Sequence, residues 1–368
     1  MFMPTEEKPV FTPCDNKQRL IRYVDALREA TSQEMANDER VFLFGLDVDD
    51  HKGIQGSTLG LLEQFGPERV FGTPLSEDAM TGFAVGAAMA GLRPIHVHIR
   101  MDFMLLAINQ LINMAAKSHY MYNGQVNVPL VIRTMIGRSW GQGAQHSQAL
   151  HALFMHIPGL KIFAPSNAHD AKGCLITAIR DNNPVIFIEH RLLYSTEGYV
   201  SPEVYTVPFG KARTFVPGHD ITIVAISHMV MEALRASKHL EKIGLSADII
   251  DPISLRPLDM ETIVNSVKKT GRLLIVDNGW LTCGASSEIM ARMIELLPEG
   301  LNGKAIPMAR MGFADTPCPT TKNLENLFYP SSHTIAEKAY TLISGKTNTD
   351  WLPAATSKTE IDAFKGPF

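Results

Sequence analysis

Apolar positions along the chain alternate between two rhythms. From Asn16, the stretch QRLIRYVDALREATSQEMANDERVFLFGLDV sets Leu20, Val24, Leu27 and Ala30 at helical spacing. It then condenses into VFLFGLDV, a short apolar run that predicts a buried strand. A polar, glycine-bearing connection leads to a helix-like segment, STLGLLEQFG, and the short strand RVFGTPL. A small-residue helix is expected from Ser76 to Gly91, then the strand RPIHVHI, a strong helix in DFMLLAINQLINMAAKSHYMY and a buried strand in VPLVIRTMI. GLKIFAP, HDAKGCLITAIRD and PVIFIEHR continue as strand, helix, strand. Strands alternating with helices imply an α/β fold with a parallel sheet covered on both faces.

Tyr194 to Pro208 is rich in Pro, Ser, Thr and Tyr, has no periodicity, and reads as a linker. Beyond it the rhythm restarts: DITIVAIS, a helix to about Ile243, SADIIDPI, a helix near Met260 to Lys269, GRLLIVDN, and a helix from Ala285 to Leu297. The expected organisation is an N-terminal arm (1–16), a first α/β domain (17–193), the linker (194–208), a second α/β domain (209–345) and an extended tail (346–368). Trp351, Leu352, Ile361, Phe364 and Phe368 give that tail enough apolar area to lie on a surface.

Composition narrows the function classes. A length of 368 residues, 45% of them hydrophobic and 20% charged, suits a two-domain globular protein. A net charge of -4 lacks the basic footprint of a nucleic-acid binder. The four cysteines, Cys14, Cys174, Cys283 and Cys318, are scattered without a C-x-x-C pair, so neither a disulfide framework nor a thiolate zinc site is indicated. Met1 to Asn16 carries acids and prolines rather than a signal-peptide core, and the longest apolar runs are too short for a membrane span. These features lead to the expectation of a cytoplasmic protein, or one of an organelle matrix.

The most informative segment is TPLSEDAMTGFAVGAAMAGLRP. Ser76 is a good N-cap residue, which puts Glu77 in the first turn. Gly82, Ala84, Gly86, Ala87, Ala88 and Ala90 leave much of the helix bare. A helical Gly costs about 1 kcal/mol relative to Ala, so two of them need a reason. The residues alone favour close approach of another helix in a core. Glu77, four intervening residues, then Gly82, Phe83, Ala84, Val85 and Gly86 also match the E-x4-G-Φ-x-x-G pattern of thiamine-diphosphate enzymes. Further along, AGLRPI, AINQLINMAAKSHYM, VPLVIR, GAQHSQALHALFMHIPGLKIFAPSNAHDAKG, AIRDNNPVIFIEH and ISLRPLDMETI stand in the order and spacing of pyruvate dehydrogenase beta subunits. From about Gln18 to Gly345 the chain resembles the beta subunits of thiamine-diphosphate-dependent 2-oxo acid dehydrogenases, of the transketolase-like superfamily.

The resemblance implies a pyrimidine-binding thiamin fold followed by a C-terminal transketolase-type domain. It implies that Glu77 binds and activates the aminopyrimidine ring of thiamine diphosphate, an exchange of protons that burial of the carboxyl would favour. Phe103 and Ile99 fall where the family places an aromatic and a hydrophobic contact to that ring, although core packing explains either equally well. His146, in GAQHSQ, falls at an active-site histidine, and imidazole as a side-chain type suits proton transfer. His151, His156 and His169 gain nothing from the comparison. A potassium ion is implied at the backbone of Leu130, Ala178, Ile179, Asp181 and Asn183, beside the plainer reading of RDNNP as a helix-ending turn.

The chain contains neither a G-D-G motif nor a P-loop. The resemblance therefore implies that an alpha subunit carrying GDG holds the diphosphate and its Mg²⁺, that the active site lies between chains, and that two alpha and two beta chains form a heterotetramer serving a lipoyl transacylase. The alternatives are half of a split transketolase-like ketol transferase, and a scaffold that has lost activity, which the intact Glu77 motif disfavours. Arg100, Arg138, Trp140 and Gln142 depart from the pyruvate pattern near the expected substrate mouth. An anionic or larger substrate would account for Arg100, as would a simple pairing with Asp102.

Overall fold

The apolar run VFLFG folds as the strand Val41–Gly45, with all five residues buried. The computed structural model describes residues 19–138 and 141–353; the expected N-terminal arm, Trp140, and the tail residues Ile361, Phe364 and Phe368 lie outside them. Val41–Gly45 lies inside a seven-stranded sheet whose order is Ser254–Arg256, Lys161–Phe163, Val185–His190, Val131–Ile136, Arg93–His98, Val41–Gly45, Val70–Gly72. Every pairing is parallel except that of Ser254–Arg256 with Lys161–Phe163. Successive residues of one strand feed opposite faces. Val41 and Leu43 join a cluster with Leu27 and Leu175 of the helices Tyr23–Asn37 and Ala168–Arg180, while Phe42 and Phe44 join one with Ala84 and Val85 of the helix Glu77–Met89. Both faces are covered, as continuous apolar strands require.

A second sheet runs Met308–Phe313, Leu273–Trp280, Ile221–Ala225, Ala247–Asp251, Arg213–Val216, parallel except at the last pairing. The cluster under Phe42 continues through Val224, Ile275 and Phe328, so the two sheets share core. Behind the second sheet pack the helices Met229–Glu241 and Ser332–Ser344, the latter opened by a capping box between Ser331 and Thr334.

Several elements differ from the pattern-based expectation. The first helix begins at Tyr23, and Leu20–Arg22 is a strand paired antiparallel with Glu197–Tyr199 of the segment read as a linker. Leu20 is 62% exposed, so its helical spacing reflects no buried face. Ser76 precedes the helix at Glu77, but its side chain makes no capping bond. The segment read as one strong helix is three: a tight helix Met101–Ala107, a wide-turn stretch Gln110–Ala115 and a regular helix Ala116–Met121. Such wide turns occur most often beside functional sites. At the C-terminus the described part of the tail lies down: the Trp351 ring meets Tyr340 at 5.2 Å, its indole N–H donates to the Asn348 carbonyl at 2.9 Å, and Leu352 packs on the same apolar cluster.

Candidate active site

Four segments meet at the C-terminal end of the first sheet: the loop after Val41–Gly45, the start of the helix Glu77–Met89, the chain leaving Arg93–His98, and the loop after Val131–Ile136. Gly45 opens the first of these with φ +152°, where a Cβ would stand 2.4 Å from the Val97 carbonyl oxygen. Only glycine lets the neighbouring strands close there. The loop that follows holds Asp47, Ile54 and Gln55 at φ 55°, 45° and 58°. Positive φ is costly for a β-branched residue and clusters at functional sites. Asp50 ties the turn down by accepting from the backbone N–H groups of Lys52 and Gly53, at 2.9 and 2.6 Å.

These segments enclose a cavity of about 480 Å³, within the range of small-molecule sites. Glu77, Ile99, Arg100, Phe103 and His146 all line it. Glu77 stands half-buried in the first helical turn, where the helix N-terminus favours a carboxylate. One turn on, the Thr81 hydroxyl lies 3.2 Å from His98 Nε2, fixing the helix to the adjacent strand. His96 and His98 alternate onto one face of that strand with ring centroids 4.4 Å apart, and His96 stacks on Phe44 at 4.4 Å. Burial holds the His96 imidazole down to about 4, and burial, with His96 beside it, holds His98 well below the usual imidazole range. Both rings are neutral at pH 7.

The loop carrying His146 is positioned by buried polar groups. The Phe103 and His146 rings meet edge-on at 5.3 Å. Asp102 accepts from the Gln148 backbone N–H at 3.1 Å and its side-chain amide at 2.9 Å, and burial raises its carboxyl above the usual range. Arg191 donates to the Gln142 side chain and, at 3.2 Å, to the His146 carbonyl. Burial, then the nearby Arg100 charge, brings the Arg191 guanidinium down to about 9. Arg100 is 5% exposed; its Nη1 donates to the Ile99 carbonyl at 2.9 Å, and burial lowers its pKa. No hydrogen bond joins Arg100 to Asp102.

Arg138, expected at the substrate mouth, turns away. Its guanidinium reaches Asn326 and, at 3.5 Å, Glu325, and lies 4.8 Å from the Tyr329 ring, all in the second domain. The positive φ of Gly137, 105°, sets that turn, and a Cβ there would meet the His190 ring at 2.5 Å. His151 pairs with Asp277 at 2.9 Å and His169 with Asp170 at 3.0 Å, both outside the cavity.

The residues expected to hold potassium gather elsewhere, around the end of the helix Ala168–Arg180. The Leu130 carbonyl accepts from Val185 N at 2.9 Å and that of Ala178 from Asp181 N at 3.3 Å. Arg93 donates to the carbonyls of Ile179, at 2.8 Å, and Asp181, at 3.0 Å. The Asp181 carboxylate accepts from the Asn183 N–H and side-chain amide, at 2.8 and 3.0 Å.

The motif reading missed His96, His98 and the strained loop at Asp47, Ile54 and Gln55 as cavity walls. A pair of histidines two apart in an otherwise apolar strand was the one available signal.

Comparison with known proteins supplies the context. The family described as "Transketolase, pyrimidine binding domain" matches residues 19–196, and "Transketolase, C-terminal domain" matches residues 210–335. The chain is 43% identical to the "Pyruvate dehydrogenase E1 component subunit beta" of Rickettsia bellii (strain RML369-C), over 84% of this chain and 95% of that protein. It is 42% identical to the "Acetoin:2,6-dichlorophenolindophenol oxidoreductase subunit beta" of Cupriavidus necator, over 87% of this chain and 96% of that one. Among solved structures, "Split gene transketolase, inactive beta4 tetramer" superposes with a TM-score of 0.71 at 22% identity, covering 88% of this chain and 99% of that chain. That likeness establishes the fold.

Proposed function

The chain belongs to the beta-subunit family of thiamine-diphosphate-dependent 2-oxo acid dehydrogenases, and from that premise we propose that the Glu77 cavity is the beta-chain half of a shared active site. One observation carries the reading: Glu77, Ile99, Phe103 and His146, drawn from separate stretches of sequence, line a single cavity. Its walls fit the flat aminopyrimidine half of the cofactor, with apolar faces at Ile99 and Phe103 and a carboxyl at Glu77 for a ring nitrogen. The diphosphate half, with its Mg²⁺, falls to an alpha subunit, because this chain has no GDG motif.

When bound, thiamine diphosphate supplies a nucleophilic carbon and an electron sink for decarboxylating a 2-oxo acid. Glu77 would share a proton with the ring nitrogen, and an alpha subunit closing over the cavity would exclude water from that bond. Ile99 and Phe103 orient the ring and exclude water. His146, held by Arg191 through its carbonyl and by Asp102 through Gln148, moves a proton at one imidazole nitrogen to or from the substrate's oxygen. The acyl group would leave as a thioester on lipoyl-lysine, whose disulfide takes up the two electrons that the decarboxylated, aldehyde-level fragment gives up.

The partner chains belong to the same reading. Phe83 is 49% exposed and Met89 40%, and nothing lies within 4 Å of a Cβ placed on Gly86 between them. Ala84 and Ala88 pack into the chain's own core, but the face carrying Phe83, Gly86 and Met89 is open, and a second beta copy across a symmetric contact would cover it in an α2β2 assembly. The uncharged oxygens of Leu130, Ala178, Ile179, Asp181 and Asn183 suit a hard monovalent cation. The carbonyls of Leu130, Ala178, Ile179 and Asp181 each keep a second lone pair beyond the bond described above, while the Arg93 guanidinium on two of them opposes a second cation.

The test is reconstitution. The beta chain alone should neither turn over a 2-oxo acid nor acylate lipoamide; mixing with a GDG-bearing alpha chain should produce both. Turnover by the beta chain alone, or transfer of a two-carbon ketol unit to an aldose in place of lipoamide acylation, would overturn the reading.

A further inference from the structure

Arg100 is a buried cation with an unused donor in the wall of the candidate site. It is 5% exposed, it lines the cavity beside Glu77, Phe103 and His146, and its Nε has no hydrogen-bond partner. Nη1 reaches only the Ile99 carbonyl, a neutral acceptor, at 2.9 Å. Asp102, whose charge attracts it, spends one oxygen on Gln148. Behind it stands a second buried guanidinium, Arg191, whose charge opposes that of Arg100. Asp47, Asp50 and Glu77 line the same cavity, and none of them hydrogen-bonds Arg100. Burying an ion that lacks a bonded counter-charge is expensive unless a ligand supplies one, and a guanidinium is shaped for carboxylate or phosphate oxygens.

We propose that Arg100 sets substrate specificity, and that the 2-oxo acid admitted here carries a second anionic group, a carboxylate or phosphate-type group away from the reacting carbons. This rests on the reading of the cavity as half of a 2-oxo acid site. The scissile carboxylate is a poor match for Arg100, because it leaves as neutral carbon dioxide. A buried cation holding it would stabilise the ground state more than the transition state and slow the reaction. A group that keeps its charge throughout is bound equally in both states, so Arg100 can hold it without that penalty.

The experiment uses the assembled enzyme and three probes: 2-oxopentanoate, with a neutral tail; 2-oxoglutarate, with a terminal carboxylate; and 3-phosphonopyruvate, with a phosphonate. At least one dianionic acid should exceed 2-oxopentanoate in kcat/KM, and the better of the two names the group. Arg100→Met should shrink that preference about 10- to 150-fold, mostly through KM, as loss of hydrogen bonds to a charged group entails. Arg100→Lys should restore part of it. Calorimetry with glutarate, an unreactive dianion, should show binding that the Met variant loses while its melting temperature is kept. The proposal fails if 2-oxopentanoate is the best substrate, or if Arg100→Met slows all three acids equally, which would place Arg100 on the scissile carboxylate. It also fails if the variant weakens only assembly, because an alpha-chain carboxylate would then be the counter-charge. If no 2-oxo acid at all is turned over, the functional reading fails instead, and glutarate binding still decides for or against Arg100.

Discussion

Arg133 and Glu189 meet diagonally in the middle of the first sheet, two positions apart in register on the adjacent strands Val131–Ile136 and Val185–His190. Both side chains are 0% exposed, and two hydrogen bonds join them, Nε to Oε1 at 2.6 Å and Nη2 to Oε2 at 3.0 Å. Tyr194 donates to the same carboxylate, Oη to Oε2 at 2.5 Å. Arg133→Met removes the cation and leaves a carboxylate in the core. Breaking a buried pair from one side costs about 3–5 kcal/mol. For a domain of this size that lowers the melting temperature by roughly 6–20 °C. Removing both charges in Arg133→Met/Glu189→Leu strands only the Tyr194 hydroxyl, at about 1–3 kcal/mol. The double variant should therefore recover stability over the single one. Urea unfolding of both, at one pH, measures the difference. A single variant losing less than about 1 kcal/mol, or a double variant no better than the single, would refute the claim that an uncompensated charge is what the sheet cannot hold.

Three further outcomes are expected. His96 and His98 are held neutral by burial, so the stability they contribute is present above about 6.5 and is lost as pH falls toward 4; urea midpoints should fall across that window, less steeply in His98→Gln, and equal pH slopes would contradict this. Gly86→Leu should raise the stability of the isolated chain by roughly 0.8 kcal/mol through helix propensity and abolish beta–beta assembly, and an unchanged oligomer on sizing would dismiss the contact. Trp351 and Leu352 pack on the second domain, where the tail would cover a docking surface for the peripheral-subunit-binding domain of a lipoyl transacylase; a chain ending at Gly345 should bind that domain more tightly than the full chain, and equal affinity would rule out masking by the tail.

The long buried strands were legible because VFLFG is apolar throughout and VIRTMI and VIFIEH each open on apolar residues, as strands covered on both faces favour. Leu20–Arg22 and Ser254–Arg256 were not, since neither stands in a separate apolar run and each exists only through an antiparallel partner far along the chain. In the site, Glu77 was singled out only through the resemblance of its motif with Gly82 and Gly86 to thiamine-diphosphate enzymes, the residues alone favouring a helix crossing; the structure sets it in the cavity wall. His96 and His98 were hidden, because a buried strand can carry histidines for packing alone. The loop at Asp47, Ile54 and Gln55 gave no sign of positive φ, which non-glycine residues reveal only in three dimensions. Arg138 was misplaced because its direction depends on Gly137 and on second-domain residues nearly two hundred positions away.

In the proposed reaction the Glu77 carboxyl activates the cofactor from the beta side of a shared site. The most direct test of this role is turnover by the assembled enzyme carrying Glu77→Gln, measured as 2-oxo acid-dependent acylation of lipoamide alongside the mass of the complex. The expected result is an unchanged complex and a loss of about 10²- to 10⁴-fold in kcat, the usual cost of removing positioned acid/base catalysis. An intact complex that keeps more than about a tenth of wild-type turnover would contradict it.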